Sequence, residues 1–114
     1  MRAILLIQYG GPEQLQLREV PSPTPGAGQV RVRVTATSVN PIDYKMRSGA
    51  AKARFPVEFP AILGRDVSGV VLDGAAEFSK GDRVMGLVHR TYAEELGQAL
   101  RALASSRRVV RSAP

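Results

Sequence analysis

The chain has 114 residues, sixteen basic and ten acidic, giving a formal net charge of +6 at pH 7, with one histidine and no cysteine. That length allows one domain with a modest core. The absence of cysteine excludes disulfide frameworks, thiolate metal sites and cysteine nucleophiles, and a single histidine, His89, excludes an all-nitrogen metal site.

Taken in chain order, MRAILLI reads as a first short strand, GGPE as a turn and LQLREV, residues 15–20, as a second strand. PSPTPGAG is a turn cluster. The clearest periodic signal follows in QVRVRVTATSV, residues 29–39. There Val30, Val32, Val34 and Ala36 face one way and Arg31, Arg33, Thr35 and Thr37 the other, as in a half-buried antiparallel strand. In SVNPIDYKMRSG, residues 38–49, Pro41 disfavours the helical region for Asn40 while its own φ suits the first position of a helix. A short helix is expected there, with Asp43, Tyr44, Lys45 and Arg47 in its first two turns. These residues read either as a solvated helix start or as a site.

VSGVVL, residues 67–72, and RVMGLV, residues 83–88, complete the strand pattern, with DGAAE and SKGD as turns between them. Many short strands punctuated by Gly and Pro point to a small barrel or sandwich. Neither GGPEQ nor PGAGQ has the spacing of a phosphate-binding loop, so the chain carries no dinucleotide-binding fingerprint of its own. His89 lies among turn residues with no serine singled out beside it. Arg65 and Asp66 read as a structural pair beside a glycine turn.

At the C-terminal end, Leu96, Leu100 and Leu103 fall near one helical face, which suits a short amphipathic helix followed by disorder. The Ala, Arg, Ser and Pro bias there equally suits an out-of-frame or truncated end. Arg101, Arg107, Arg108 and Arg111 carry four of the positive charges, whereas residues 1–100 hold twelve basic and ten acidic side chains. A terminal excess of this kind reads as a solvated end, and no aromatic lies among those arginines, so nucleic acid is disfavoured as a partner. No apolar run reaches the roughly 18–20 residues of a membrane span, and the N-terminus lacks a signal-peptide layout. The expectation is a soluble, cytoplasmic protein with no membrane partner.

Several of these stretches, in order, resemble the zinc-independent quinone oxidoreductases of the medium-chain dehydrogenase/reductase superfamily, in their N-terminal GroES-like domain. QYGGPEQLQLREVPSPTPGAGQVRVRV is similar to that family's opening hairpin and strand, and SVNPIDYKMRSG to its active-site turn and helix. FPAILGRDVSGVV resembles its next segment, and FSKGDRVMG with TYAEE its closing strands. The resemblance covers residues 1–95 and implies a mainly β fold: a GroES-like, partly open β-barrel with one or two short helices, with the nucleotide-binding domain missing. Residues 96–114 are then a divergent tail. DGAAE is shorter than the family's loop, and HRTYAE lacks two glycines often found there.

The resemblance also implies a chemistry. Zinc-dependent relatives place a cysteine where Val39 and Asn40 stand, and Gly-His-Glu where this chain has Gly64, Arg65 and Asp66. Without those ligands, reduction relies on hydride from bound NADPH to a quinone or α,β-unsaturated carbonyl, with hydrogen-bond donors stabilising the developing enolate. By resemblance Asn40 and Lys45 face the cofactor and substrate. Lys45 is the first candidate for the catalytic donor and Tyr44 the second. Asp43, beside the cofactor, caps the helix or orients Lys45. A chain lacking the dinucleotide-binding half is expected to be inactive alone, and its uncovered sheet edges imply a homo-oligomer. A non-catalytic GroES-like module for self-association or protein binding is the alternative.

Overall fold

A computed structural model describes residues 1–73, 75, 77–99 and 104–105. Arg2–Leu6 (β1) and Leu15–Glu19 (β2) form an antiparallel hairpin in the register Arg2↔Glu19 to Leu6↔Leu15. A three-residue 3-10 turn at Pro12–Gln14 leads into β2. The larger sheet contains Gln29–Ala36 (β3), Asp66–Asp73 (β4), Arg83–Leu87 (β5), Glu95–Ala99 (β6) and Ala104–Ser105 (β7), in the order β6-β3-β4-β5-β7. All its pairings are antiparallel. One α-helix, Pro41–Ser48 (α1), leaves the sheet after β3.

The two sheets are joined through the segment that precedes β6. The Ile4 amide donates to the Tyr92 carbonyl at 2.9 Å, the Glu94 amide to the Arg2 carbonyl at 3.1 Å, and the Val34 amide to the Glu94 carbonyl at 2.8 Å. Leu6 and Ala61 exchange a second pair of backbone bonds at 2.7 and 3.0 Å. Unpaired amides and carbonyls inside a protein are costly, so these bonds satisfy the inner edge of β1 and roll the sheets into the partly open barrel expected from the sequence. In the core Val30 and Val32 of β3 pack with Val67 and Val71 of β4, Val84 of β5, Phe78, Val88 and Leu96 of β6. Arg31 crosses three strands, with Nε 2.7 Å from Asp73 and Nη1 3.1 Å from Glu95. Among the described residues, no helix is long and apolar enough to cross a membrane.

Two sequence readings are corrected here. Val30 and Val32 are buried as the alternation requires, yet Ala36 is exposed. The β3–β4 register shifts between Val34 and Ala36, so Thr35 is an extra residue in the ladder, and a one-residue slip turns the following side chains to the other face. The second correction concerns Leu96, which lies on a strand and not on a helix. It pairs opposite Val32 and is buried in the core, because the outer edge of β3 has backbone groups that β6 satisfies. Leu100 and Leu103 lie outside the described residues.

Gly64 fits where no other residue would. Its φ is 108°, and a Cβ there would collide with the Thr91 hydroxyl and the Tyr92 ring. Gly64→Ala is expected to cost at least about 2 kcal/mol, left-handed strain and collision combined, and to lower the denaturant midpoint with an unchanged slope. An unaltered midpoint would contradict the close approach of these two segments.

Candidate functional site

The site grows from the chain between β3 and α1. Asn40 is the N-cap of α1, in extended conformation (φ −114°, ψ 158°), followed by Pro41 at the first helical position. Asp43, at the third helical position, is buried, and its Oδ2 accepts the Asn40 backbone amide at 2.8 Å. The Asp43 amide in turn donates to the Asn40 carbonyl at 2.9 Å. A carboxylate at the N-terminal turn also complements the helix dipole. At the other end Gly49, at φ 90°, caps the helix in the left-handed conformation.

Asn40 is held from its side chain as well. Asp66, the first residue of β4, accepts Asn40 Nδ2 at 3.1 Å and the Ser38 amide at 3.0 Å. The Ser38 hydroxyl lies 2.8 and 2.7 Å from the two oxygens of Asp66 and donates to one of them at a time. Thr37 Oγ1 is 2.7 Å from the Asp66 carbonyl and 2.7 Å from Thr91 Oγ1, joining the fully buried Thr91 to the cluster. Hydrogen bonds from Ser38 and then Asn40 hold the Asp66 carboxyl below the usual carboxylate range, against its desolvation.

Tyr92 closes the arrangement from the segment between β5 and β6. Its hydroxyl lies 2.9 Å from Asp43 Oδ2 and 3.2 Å from the Ser38 carbonyl, and donates to the charged acceptor. Burial, then the Asp43 hydrogen bond and charge, push this hydroxyl well above the ordinary tyrosine range, so it remains a neutral donor. Leu87, 80% exposed, stands opposite Asp66 in the β4–β5 ladder, and Val39, 76% exposed, follows Ser38. The cluster is therefore a polar patch beside exposed apolar side chains.

Of the four candidates from sequence, the structure brings Asn40 and Asp43 together and leaves Tyr44 and Lys45 exposed on α1. At about 100° per residue, Lys45 projects roughly 200° around the helix from Asp43. Asp43 therefore caps the helix and does not orient Lys45. Arg65 and Asp66 do not pair either: the Arg65 guanidinium centre lies 5.2 Å from the Phe55 ring centroid and its Nη2 is 3.5 Å from Met46 Sδ. Ser38, Asp66 and Tyr92 were not singled out as site residues by sequence reasoning. An acidic residue at the start of a strand was visible, but its donors stand 26 to 29 residues away.

The alcohol dehydrogenase GroES-like domain model matches residues 26–108. The chain belongs to that family. The human quinone oxidoreductase is 43% identical to this GroES-like chain over 88 residues, covering 74% of it and 26% of the human protein. Among solved structures, the quinone oxidoreductase from Coxiella burnetii superposes with a TM-score of 0.80 at 33% identity, covering 92% of this chain and 36% of that one. A mycobacterial protein solved with NADPH gives 0.81 at 33% identity over 92% of this chain and 33% of that one. The GroES-like chain spans about a quarter of the length of the curated relatives it matches.

The positions at which zinc-dependent relatives place ligands do not fit a metal in this chain. Asn40 and Asp66 are joined directly, and Arg65 is turned to Phe55. Among the described residues, no group of three or more His, Cys, Asp or Glu could hold an ion. The cluster consists of amide, hydroxyl and carboxylate groups bonded to one another, with no basic side chain among them to meet a phosphate.

Asp66 and Tyr92 give pH signatures of opposite sign. The folded pKa of Asp66 is depressed, so its stabilisation is present above the unfolded value near 3.9 and is lost as pH falls through the folded value. Asp66→Asn should flatten the acid limb of the stability curve below about pH 4. The folded pKa of Tyr92 is raised, so stability falls as pH rises past the unfolded value near 10, and Tyr92→Phe should remove that alkaline fall. Urea midpoints measured across pH check both, and limbs unchanged in the variants would contradict the assigned hydrogen bonds.

Proposed function

We propose that this chain supplies the substrate-side part of an NADPH-dependent, zinc-independent reductase of quinones or α,β-unsaturated carbonyl compounds. The observation that carries this reading is the doubly held Asn40: backbone fixed by Asp43, side chain by Asp66, where zinc-dependent relatives place metal ligands. The names of its relatives support the same class. Bound NADPH supplies the hydride. The residues of this chain orient the acceptor and stabilise the negative charge that develops on its oxygen.

Asn40 is the fixed hydrogen-bonding group of the cleft, and Asp43 acts through it as a positioning residue. Lys45 is the donor assigned to the carbonyl oxygen, because its ammonium bears three protons on an exposed, flexible stem with no ion pair among the described residues. Tyr44, 49% exposed on the same helix, is the second donor in reach of solvent. The chain has no dinucleotide-binding fingerprint, so NADPH added to the purified chain should show no quinone-dependent oxidation. Turnover by the 114-residue chain would overturn the half-site reading. In a full-length protein containing this segment, quinone-dependent NADPH oxidation is expected. Lys45→Ala there should lower kcat/KM by roughly 10–1000-fold, the scale of one lost transition-state donor. An unchanged value would remove Lys45 from the site.

A second reading, a self-associating module without catalysis, has one observation in its favour. Leu87 and Met85 project from β5 with 80% and 47% exposure, on the strand whose outer edge pairs with β7 at Val84 and Met85 among the described residues. Such edges template pairing with another chain. A homodimer or larger assembly is expected in multi-angle light scattering. A monomer at high protein concentration would contradict it.

A further inference from the structure

The charged groups between α1 and β4 are out of balance. Lys45, Arg47, Lys52, Arg54 and Arg65 face a single acidic residue, Glu58, in the run from 45 to 65. The ion pairs among the described residues involve none of these five cations. Three of them are arginines, and two of these lie over one aromatic ring. The Arg65 guanidinium centre lies 5.2 Å from the Phe55 centroid, and that of Arg54 lies 5.5 Å from it. Arg65 is half-buried, and its hydrogen-bond partner among the described residues is the Met46 thioether, a weak acceptor, at 3.5 Å. Arg47, the residue after Met46, has its Nη1 buried with no acceptor among the described residues.

Each of these facts is unusual for arginine. Its five N–H donors normally find carboxylates, carbonyls or water, and a buried donor without a partner requires an explanation. Two guanidinium groups over one ring repel each other unless an anion lies between or beside them, and the ring quadrupole offsets only part of that cost. The backbone meanwhile fixes the group. The Phe55 amide donates to the Ala51 carbonyl at 2.7 Å, the Arg54 amide to the same carbonyl at 3.1 Å, and the Ala51 amide to the Lys45 carbonyl at 3.2 Å. The turn that carries Arg54 and Phe55 is thus tied to α1. Arg54 and Phe55 are held beside α1, where the Arg65 guanidinium meets the same ring.

We propose that Arg54 and Arg65 form a binding subsite for a phosphoryl oxyanion on a small molecule. A guanidinium fork matches two oxygens of a phosphate, and a net excess of four positive charges in this run favours a multivalent anion over a single carboxylate. The Phe55 ring already carries the two guanidinium groups, which leaves little of it for stacking a nucleobase, so recognition is of the phosphoryl group. The subsite is separate from the Asn40 and Asp66 cluster and holds whether or not the chain serves a reductase.

Calorimetric titration of the purified chain with inorganic pyrophosphate at low ionic strength tests this directly. One saturable site is expected, and Arg65→Gln and Arg54→Gln should each weaken it roughly 10-fold or more, the loss of one charge-assisted pair. Arg54 is exposed, so its variant retains the fold, and far-UV circular dichroism verifies both; if Arg65→Gln unfolds, the Arg54→Gln result decides. The double variant Arg107→Gln/Arg108→Gln should bind as the parent chain does, and citrate should bind more weakly than pyrophosphate. The proposal is overturned by an absence of saturable binding, by unchanged binding in Arg54→Gln, or by loss of binding in the double variant. Equal binding of citrate would overturn the phosphoryl assignment.

Discussion

The carboxylate of Asp66 is the point on which the exposed side of this barrel depends. The chain from Thr37 to Val39 has no ladder partner, so its polar groups need acceptors from elsewhere, and Asp66 supplies them from the first residue of the neighbouring strand. Charge-assisted bonds of this kind are roughly twice as strong as neutral ones. Three donor residues converging on one carboxylate fix the exit of β3 and the start of α1 relative to β4. Asp43 performs the complementary task from inside, and Tyr92 carries the constraint across to the strand segment that closes on β1.

Much of this architecture was legible in the sequence. β1 to β5 fall where alternation and turn residues place them, and α1 begins at the Asn-Pro step. What escaped reading was decided by distant partners. The Thr35 bulge has no local signature, since Val34, Thr35 and Ala36 continue the alternation and only the ladder to Gly69 and Ser68 shows the extra residue. Leu96 shares a helical spacing with Leu100 and Leu103, but β3 needed an edge partner along Glu95–Ala99 and tertiary pairing outweighed propensity.

The candidate site divides in the same way. Asn40 and Asp43 were legible because a capping pattern is local. Arg65 and Asp66 were read as a pair because they are adjacent and oppositely charged, yet neighbours in an extended chain point to opposite sides. One accordingly serves the aromatic turn below α1, the other the polar cluster above it. Geometry accounts for both the missing ion pair and the presence of two distinct polar centres on either side of a single peptide.

The backbone bonds between β1 and residues 92–94 have a temporal side. The β1–β2 hairpin emerges from the ribosome before the rest of the barrel, but the partner of its inner edge, including the Glu94 carboxylate that accepts the Arg2 amide, is made some ninety residues later. An N-terminal hairpin alone is marginal in water. At roughly 5–20 residues per second of synthesis, β1 therefore waits several seconds with one edge and the apolar side chains of Ala3 and Leu6 uncovered. Closure of the barrel is a late, long-range event, and the growing chain depends on whatever shields that edge until Tyr92 and Glu94 arrive.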